Sequence, residues 1–510
     1  MESRLLRRRD ALKFLGGAAA ITALLAACGA PAAPAAPAAP APAAPAAPAA
    51  AAPAATNTTA PAPAAAPAAT NTPAAAAAAA GAATPTPNPL ADVPIKAGKP
   101  VVEWWFGWGG MTALHALGAT ATAFNKGHED FQVKPLQVSD ITTKLLAAIA
   151  GGNPPSVETG NINFAQFWVT GAAQPLDDYI KASKTLNKDD IFAANLAAGQ
   201  WKGKTYGFPA VECFLRWATC FNQTFLDKAG IKSTELPSDF DGLYQFAKAT
   251  TVVEASGAVK NLGIDILDTM GGSFGDGDPF FWPAAYDFKY FDDSTLKYNF
   301  NNDKMIAAFE TVQKFYDIVG AEKIAGFTKA YGTWTESPTA MLPSGVEGAN
   351  INGYWAPGEL AKSAPTQKFV YGWAPSITKG TKLQATGGHY GMLPKGGPTP
   401  DMGFQYIEYL NTDEALGVIF EGTGWLGARK SYLSKVDVKK YAGLDFYVNS
   451  ADAANSMKGV IVDPVQAFVS DQWTKLQDSV NFHKITPKEA AAQLQKQADT
   501  EMANQFPNGV

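Results

Sequence analysis

Residues 201–222 read WKGKTYGFPAVECFLRWATCFN, and this stretch decides the fold. Gly203 marks a turn, and residues 204–208 read as a short strand. Residues 213–221, rich in aromatic and apolar side chains, read as a second. Joined, the two would exceed an ordinary strand of roughly 3–10 residues. Pro209 stands between them, and a proline has no N–H to give to a sheet ladder. The segment therefore reads as one extended run that leaves a first sheet at Phe208 and enters another near Cys213. Residues 209–212 become a crossover between two lobes. Glu212 then faces the space between them, either to orient a ligand or to form a salt bridge at a hinge.

The flanking chain alternates strand and helix. Residues 101–106 (VVEWWF) read as a strand, followed by the glycine-flanked loop of Trp108. Thr112 is placed to cap a helix running to residue 126. Residues 132–138 read as a strand, 141–150 as a helix closed by Gly151-Gly152, and 156–159 as a third strand. This order predicts parallel βαβ units, with ligands beyond the carboxyl ends of the strands. Trp108 and the 160–164 loop, which contains Asn163, fall at that mouth. Further on, Ser238 reads as the cap of a helix over 239–250, residues 262–267 as a strand, and 302–316, 402–410 and 487–505 as helices. Thr412 opens one more helix.

Several ordered motifs carry a family resemblance. Gly203-Lys204-Thr205-Tyr206-Gly207-Phe208-Pro209, then Glu212, a strand, and Asn222 to Gly230 (NQTFLDKAG) resemble the family 1 extracellular solute-binding proteins of ABC importers, the maltose-binding-like group. AAIAGGNPPSVETGN at 147–161 is similar to that family's Ala-Ala-Gly-Asn-Pro-Pro-Asp-Val-Val segment, with Ser156 in place of Asp. Ile351-Asn352-Gly353-Tyr354-Trp355, the 369–375 stretch, the 387–396 stretch and Gly424-Trp425-Leu426-Gly427-Ala428-Arg429-Lys430-Ser431 continue the match. Gly427 stands where the family pattern has Pro, and residues 343–348 depart from its shortest form. The resemblance covers roughly residue 101 to the C-terminus. It implies an α/β, two-lobed periplasmic-binding-protein fold of type II, with a ligand cleft between lobes joined by hinged crossover strands. The expected lobes are 99–208 with about 376–415, and 209–375 with about 416–510.

The N-terminus reads as an address. Arg7-Arg8-Arg9 precedes an apolar run too short for the about 20 residues that span a bilayer, and Leu25-Ala26-Ala27-Cys28 resembles a bacterial lipobox. Residues 1–27 are thus expected to be a lipoprotein signal peptide, twin-arginine-like, and Cys28 the lipidated residue. The competing reading is an amphipathic helix with an unrelated Cys. Residues 28–98 are Ala/Pro-rich and without large apolar content, which predicts a disordered tether of up to ~200 Å if fully extended.

The chain carries a formal net charge of −5, and the leader holds five basic and two acidic residues, so the remainder is more acidic still. With no basic run, nucleic acid is an unexpected partner. The remaining cysteines, Cys213 and Cys220, read as buried free thiols on one strand. Gly271-Gly272-Ser273-Phe274-Gly275 has the form G-x-S-x-G but lacks the helix a nucleophile elbow needs. Asp276 and Asp278 lack calcium-loop spacing, and the 4 His show no metal spacing. No catalytic residue, metal or cofactor is expected.

The candidate ligand-binding residues are Trp108, Asn163, Glu212, Trp282, Trp355, His389 and Trp425. Aromatic rings suit the flat apolar face of a sugar, while amides and carboxylates suit its hydroxyls. The expectation is an extracytoplasmic, membrane-anchored monomer that captures a carbohydrate and delivers it to an ABC permease. The rivals are a polyamine or peptide in the same cleft, and a surface adhesion protein.

Overall fold

The structure, a computed structural model, describes residues 88–161, 165–269, 281–459 and 461–507. Two mixed sheets organise it. The first opens as expected: β1 (Val101–Phe106), α1 (Met111–Gly127), β2 (Gln132–Gln137), α2 (Ile141–Gly151) and β3 (Val157–Asn161), with β1 parallel to both β2 and β3. Gly152, in the left-handed region at φ 76°, ends α2. The N-cap of α1 is Gly110, not Thr112, and it brings no side chain to the helix end.

The crossover lies further along the chain than the sequence suggests. β4 (Phe208–Leu215) is a single eight-residue strand with every residue buried, and it belongs to the first sheet. Pro209 therefore lies inside a strand. It is tolerated because β4 is paired along one side, so the missing N–H breaks no ladder. The chain changes sheets at Arg216-Trp217, and β5 (Ala218–Asn222) enters the second sheet. The crossing is pinned to the first sheet: Arg216 N–H donates to Ala385 O (2.9 Å), and Gln384 bonds Trp217 through both its amide atoms. Cys213 and Cys220, expected on one strand, stand on β4 and β5, both free and buried.

The second sheet continues with α3 (Phe240–Thr250), capped by Asp239 and not Ser238, then β6 (Val252–Val253) and β7 (Val259–Thr269). Helices α4 (Asp303–Tyr316) and α5 (Ala321–Tyr331) pack on β7. They are followed by β8 (Glu347–Asn352), α6 (Ala356–Ser363) and β9 (Phe369–Gly372), giving the order β9-β5-β8-β7-β6. The return to the first sheet runs through Ala374, bridged to Leu383, into the long strand β10 (Leu383–Met392). β10 pairs antiparallel with β3 and β4, and parallel with β11 (Ser456–Lys458). Thus β11 lies on the first sheet, although the sequence reading gives 416–510 to the second lobe. α7 (Asp413–Thr423), capped by Thr412 as expected, packs on α1. The C-terminal α8 (Pro487–Gln505) opens with a full Thr486/Glu489 capping box.

Candidate functional site

The first wall of the site grows out of an irregularity between β4 and β10. Tyr390 pairs with Pro209 and Gly388 with Cys213, so Ala210, Val211 and Glu212 lie opposite the single residue His389. This is a β-bulge, a device that re-aims side chains. Val211 takes φ 63°, unusual for a β-branched residue, and Gly388 takes φ 132°. Gly388 must be glycine, because a Cβ there would collide with the backbone of Glu212 and Cys213. The bulge turns Glu212 onto His389, whose Nδ1–H donates to Glu212 Oε1. Glu212 remains 5% exposed.

Trp108, from the loop after β1, lies flat on His389 with ring centroids 3.6 Å apart and planes 17° from parallel. Its indole N–H donates to Thr159 O (3.0 Å), which fixes the ring against β3. Trp425 follows α7 and stands 5.7 Å from Trp108. The backbone links these elements, because Cys213 N–H donates to Leu426 O (2.9 Å).

The second wall belongs to the second sheet. Trp355, just before α6, packs parallel to Trp334 (6.4 Å, 11°) and edge-on to Tyr354. The Arg216 guanidinium, on the crossover, lies 5.4 Å from the Trp355 ring centre. Glu359, in the first turn of α6, accepts a hydrogen bond from the Thr335 hydroxyl. Burial pushes its carboxyl up to about 8 against that bond, and the negative charges of Glu336 and Glu212 push the same way. Glu359 therefore feels the carboxylates of both Glu336 and Glu212.

Sequence reasoning brings Trp108, Glu212, His389, Trp355 and Trp425 into this assembly. Trp282 does not join it. It is 1% exposed and packed among Phe240, Phe281 and Tyr286, where it serves the core of the second sheet and offers no face to a ligand. Asn163, Asp276, Asp278, the 271–275 stretch and Cys28 lie outside the described residues. Sequence reasoning missed Arg216, Trp334, Glu336 and Glu359. The available signal was GTWTE at 332–336, an aromatic residue flanked by small polar ones after a helix.

Among the described residues, no group of His, Cys, Asp and Glu could hold a metal ion. Among the same residues, no helix is long and apolar enough to cross a membrane.

The fold recurs in solved structures. CpMnBP1 with mannotriose bound superposes at TM-score 0.71 with 21% identity, covering 78% of this chain and 100% of that one. Lmo0181, an ABC substrate-binding protein from Listeria monocytogenes in complex with cycloalternan, gives 0.64 and 17%, covering 79% and 99%. The maltose/maltodextrin-binding domain MalE from Bdellovibrio bacteriovorus, bound to maltotriose, gives 0.62 and 17%, covering 79% and 99%. No curated protein matches the sequence. The two sheets and their crossovers are thus the type II solute-binding fold expected from the sequence. The family described as bacterial extracellular solute-binding protein matches residues 119–445, more than half of the chain, and the protein belongs to it.

Proposed function

We propose that this protein captures a carbohydrate between its two sheets and hands it to the membrane subunits of an ABC importer. The observation that carries this reading is the pair of aromatic walls: Trp108 and Trp425 on one side, Trp355 and Trp334 on the other. Polar groups stand between them. Rings cover the apolar face of a sugar, and closing the walls desolvates both faces together.

The carboxyl groups raise a second reading, a cationic solute such as a polyamine. Three of them share the site, where sequence reasoning named one. Each, however, is already compensated. Glu212 holds His389. Glu359 retains its proton up to about 8. Glu336 accepts the Thr112 N–H (2.6 Å). Compensated carboxyls do not demand a counter-ion from the ligand, which favours a neutral polyol.

The same reading assigns the first lobe around β1–β4, β10 and β11, and the second around β5–β9. It gives the Ala/Pro segment the role of a tether and Cys28 that of the lipidated anchor, on the extracytoplasmic face. Calorimetry and melting of the full chain against mono- and oligosaccharides, polyamines and peptides test it. A ligand at 100 times its Kd should add about 2.7 kcal/mol to stability. Trp355→Ala should weaken binding by roughly tenfold to a hundredfold, as expected when a buried aromatic anchor is lost. A response to polyamines or peptides alone would refute the carbohydrate assignment. Cys28→Ser should release the protein from the membrane fraction.

A further inference from the structure

We infer that Glu336 is a closing latch that sets how long a captured ligand is held, without touching that ligand. It rests on the capture-by-closure reading proposed above. Glu336 sits in the segment 332–346, between α5 and β8 of the second sheet. Its carboxylate reaches the first residues of α1, which packs on the first sheet, and accepts the Thr112 N–H at 2.6 Å.

The recipient is prepared for it. Thr112 is the second residue of α1, so its N–H has no acceptor within the helix. The N-cap Gly110 supplies no side chain, and no acidic residue occupies the first turn of α1. The helix end therefore carries an uncompensated positive partial charge, which Glu336 meets from the opposite side of the site. Gly110 also makes room for the carboxylate, since a Cβ at that position would overlap Glu336.

The placement couples the latch to the ligand. The helix start that receives Glu336 follows directly on the loop that presents Trp108 to His389. On the other side, Glu336 is two residues from Trp334, which lies parallel to Trp355, and its charge bears on Glu359 and Lys362 of α6. Contact between Glu336 and α1 thus requires both aromatic walls to be drawn together. The latch adds its own stabilisation to the closed form, so its loss should appear in the rate of release.

The test uses the full chain and the variants Glu336→Ala and Glu336→Gln. Glu336 is half-buried in a loop, outside the core. Hydrogen exchange of the peptide containing residues 110–114 is measured in the free and in the sugar-saturated protein, and release of sugar is followed by tryptophan fluorescence in stopped flow. In Glu336→Ala, exchange and koff should each rise about tenfold, the scale of a lost hydrogen bond to a charged acceptor. The association rate should stay within about twofold, because most affinity tuning is in release. Glu336→Gln keeps an acceptor oxygen and should fall between wild type and Glu336→Ala. Unchanged exchange at 110–114 in Glu336→Ala would overturn the latch. So would faster exchange with an unaltered koff. If the wild type binds no sugar, the capture reading fails, while the exchange data still decide whether the contact holds the two sheets together.

Discussion

Val211 is the residue on which the first wall turns. A β-branched side chain in the left-handed region costs about 1–3 kcal/mol, and such strain persists where neighbours over-determine it. Here the neighbours are the β10 pairing on both sides of the bulge and the Leu426 carbonyl that holds Cys213. The result is a Glu212 carboxylate turned onto His389 while buried. Glu212→Ala should leave His389 without its acceptor, loosen the imidazole under Trp108, and weaken ligand binding by about tenfold or more. Glu212→Gln should weaken it less. Titration calorimetry on both variants checks this order, and equal losses would argue that the charge matters and the hydrogen bond does not. At this scale the sequence was informative wherever a site residue lay in a locally recognisable setting. Trp108 sits among glycines, Trp355 follows a strand, and Trp425 follows a helix cap. Glu336 was illegible for a physical reason: its partner, Thr112, is 224 residues away, and no periodicity or spacing encodes such a contact.

The bulge and the crossover belong to the scale of elements. Reading Pro209 as a strand breaker placed the crossover at 209–212. The rule holds for central ladders, but β4 pairs with β10 alone and its outer edge requires no N–H from residue 209. The two sheets were thus legible as a pattern of extended segments, while the point of passage depended on which edge of β4 was left unpaired. The alternation from β1 to β3 was legible because each element has its own periodicity and stop signal. Gly388 carries the testable consequence. Gly388→Ala should force β4 away from β10, destabilise the fold by about 2 kcal/mol or more, and scatter Glu212 from His389. Thermal unfolding and ligand binding should both suffer. A variant that melts like wild type would show that the strands can part there at little cost.

At the scale of the whole molecule, buried carboxyl groups dominate the response to pH. Burial and the neighbouring Asp265 push Asp268 up to about 8, against a hydrogen bond from Asn350. Burial raises Asp463 to about 7 against Tyr298, and Glu158, Asp265 and Glu347 are raised as well. Asp268 and Asp463 keep their protons in the folded protein up to that range but lose them at roughly pH 4 when unfolded. Their contribution is complete below that value and declines as pH rises through 7 to 8. Melting temperature should therefore fall between pH 5 and pH 8, and Asp268→Asn, which cannot ionise, should flatten the decline. A melting temperature that climbs over this interval would contradict the assignment of protonated interior carboxyls. The carboxylates held below their usual range, such as Asp190 by Ser431 and Arg429 and Asp413 by Lys435, lie nearer the surface and matter in more acidic solution.

The two thiols that flank the sheet crossing make the protein its own reporter. Burial drives Cys213 up to about 12 and Cys220 higher still, so neither presents a thiolate to an alkylating reagent while its strand is in place. Each stands on a different sheet, three residues to either side of the Arg216-Trp217 passage. Slow alkylation followed by peptide mapping would time the breathing of each sheet separately, with no foreign probe and no change of sequence.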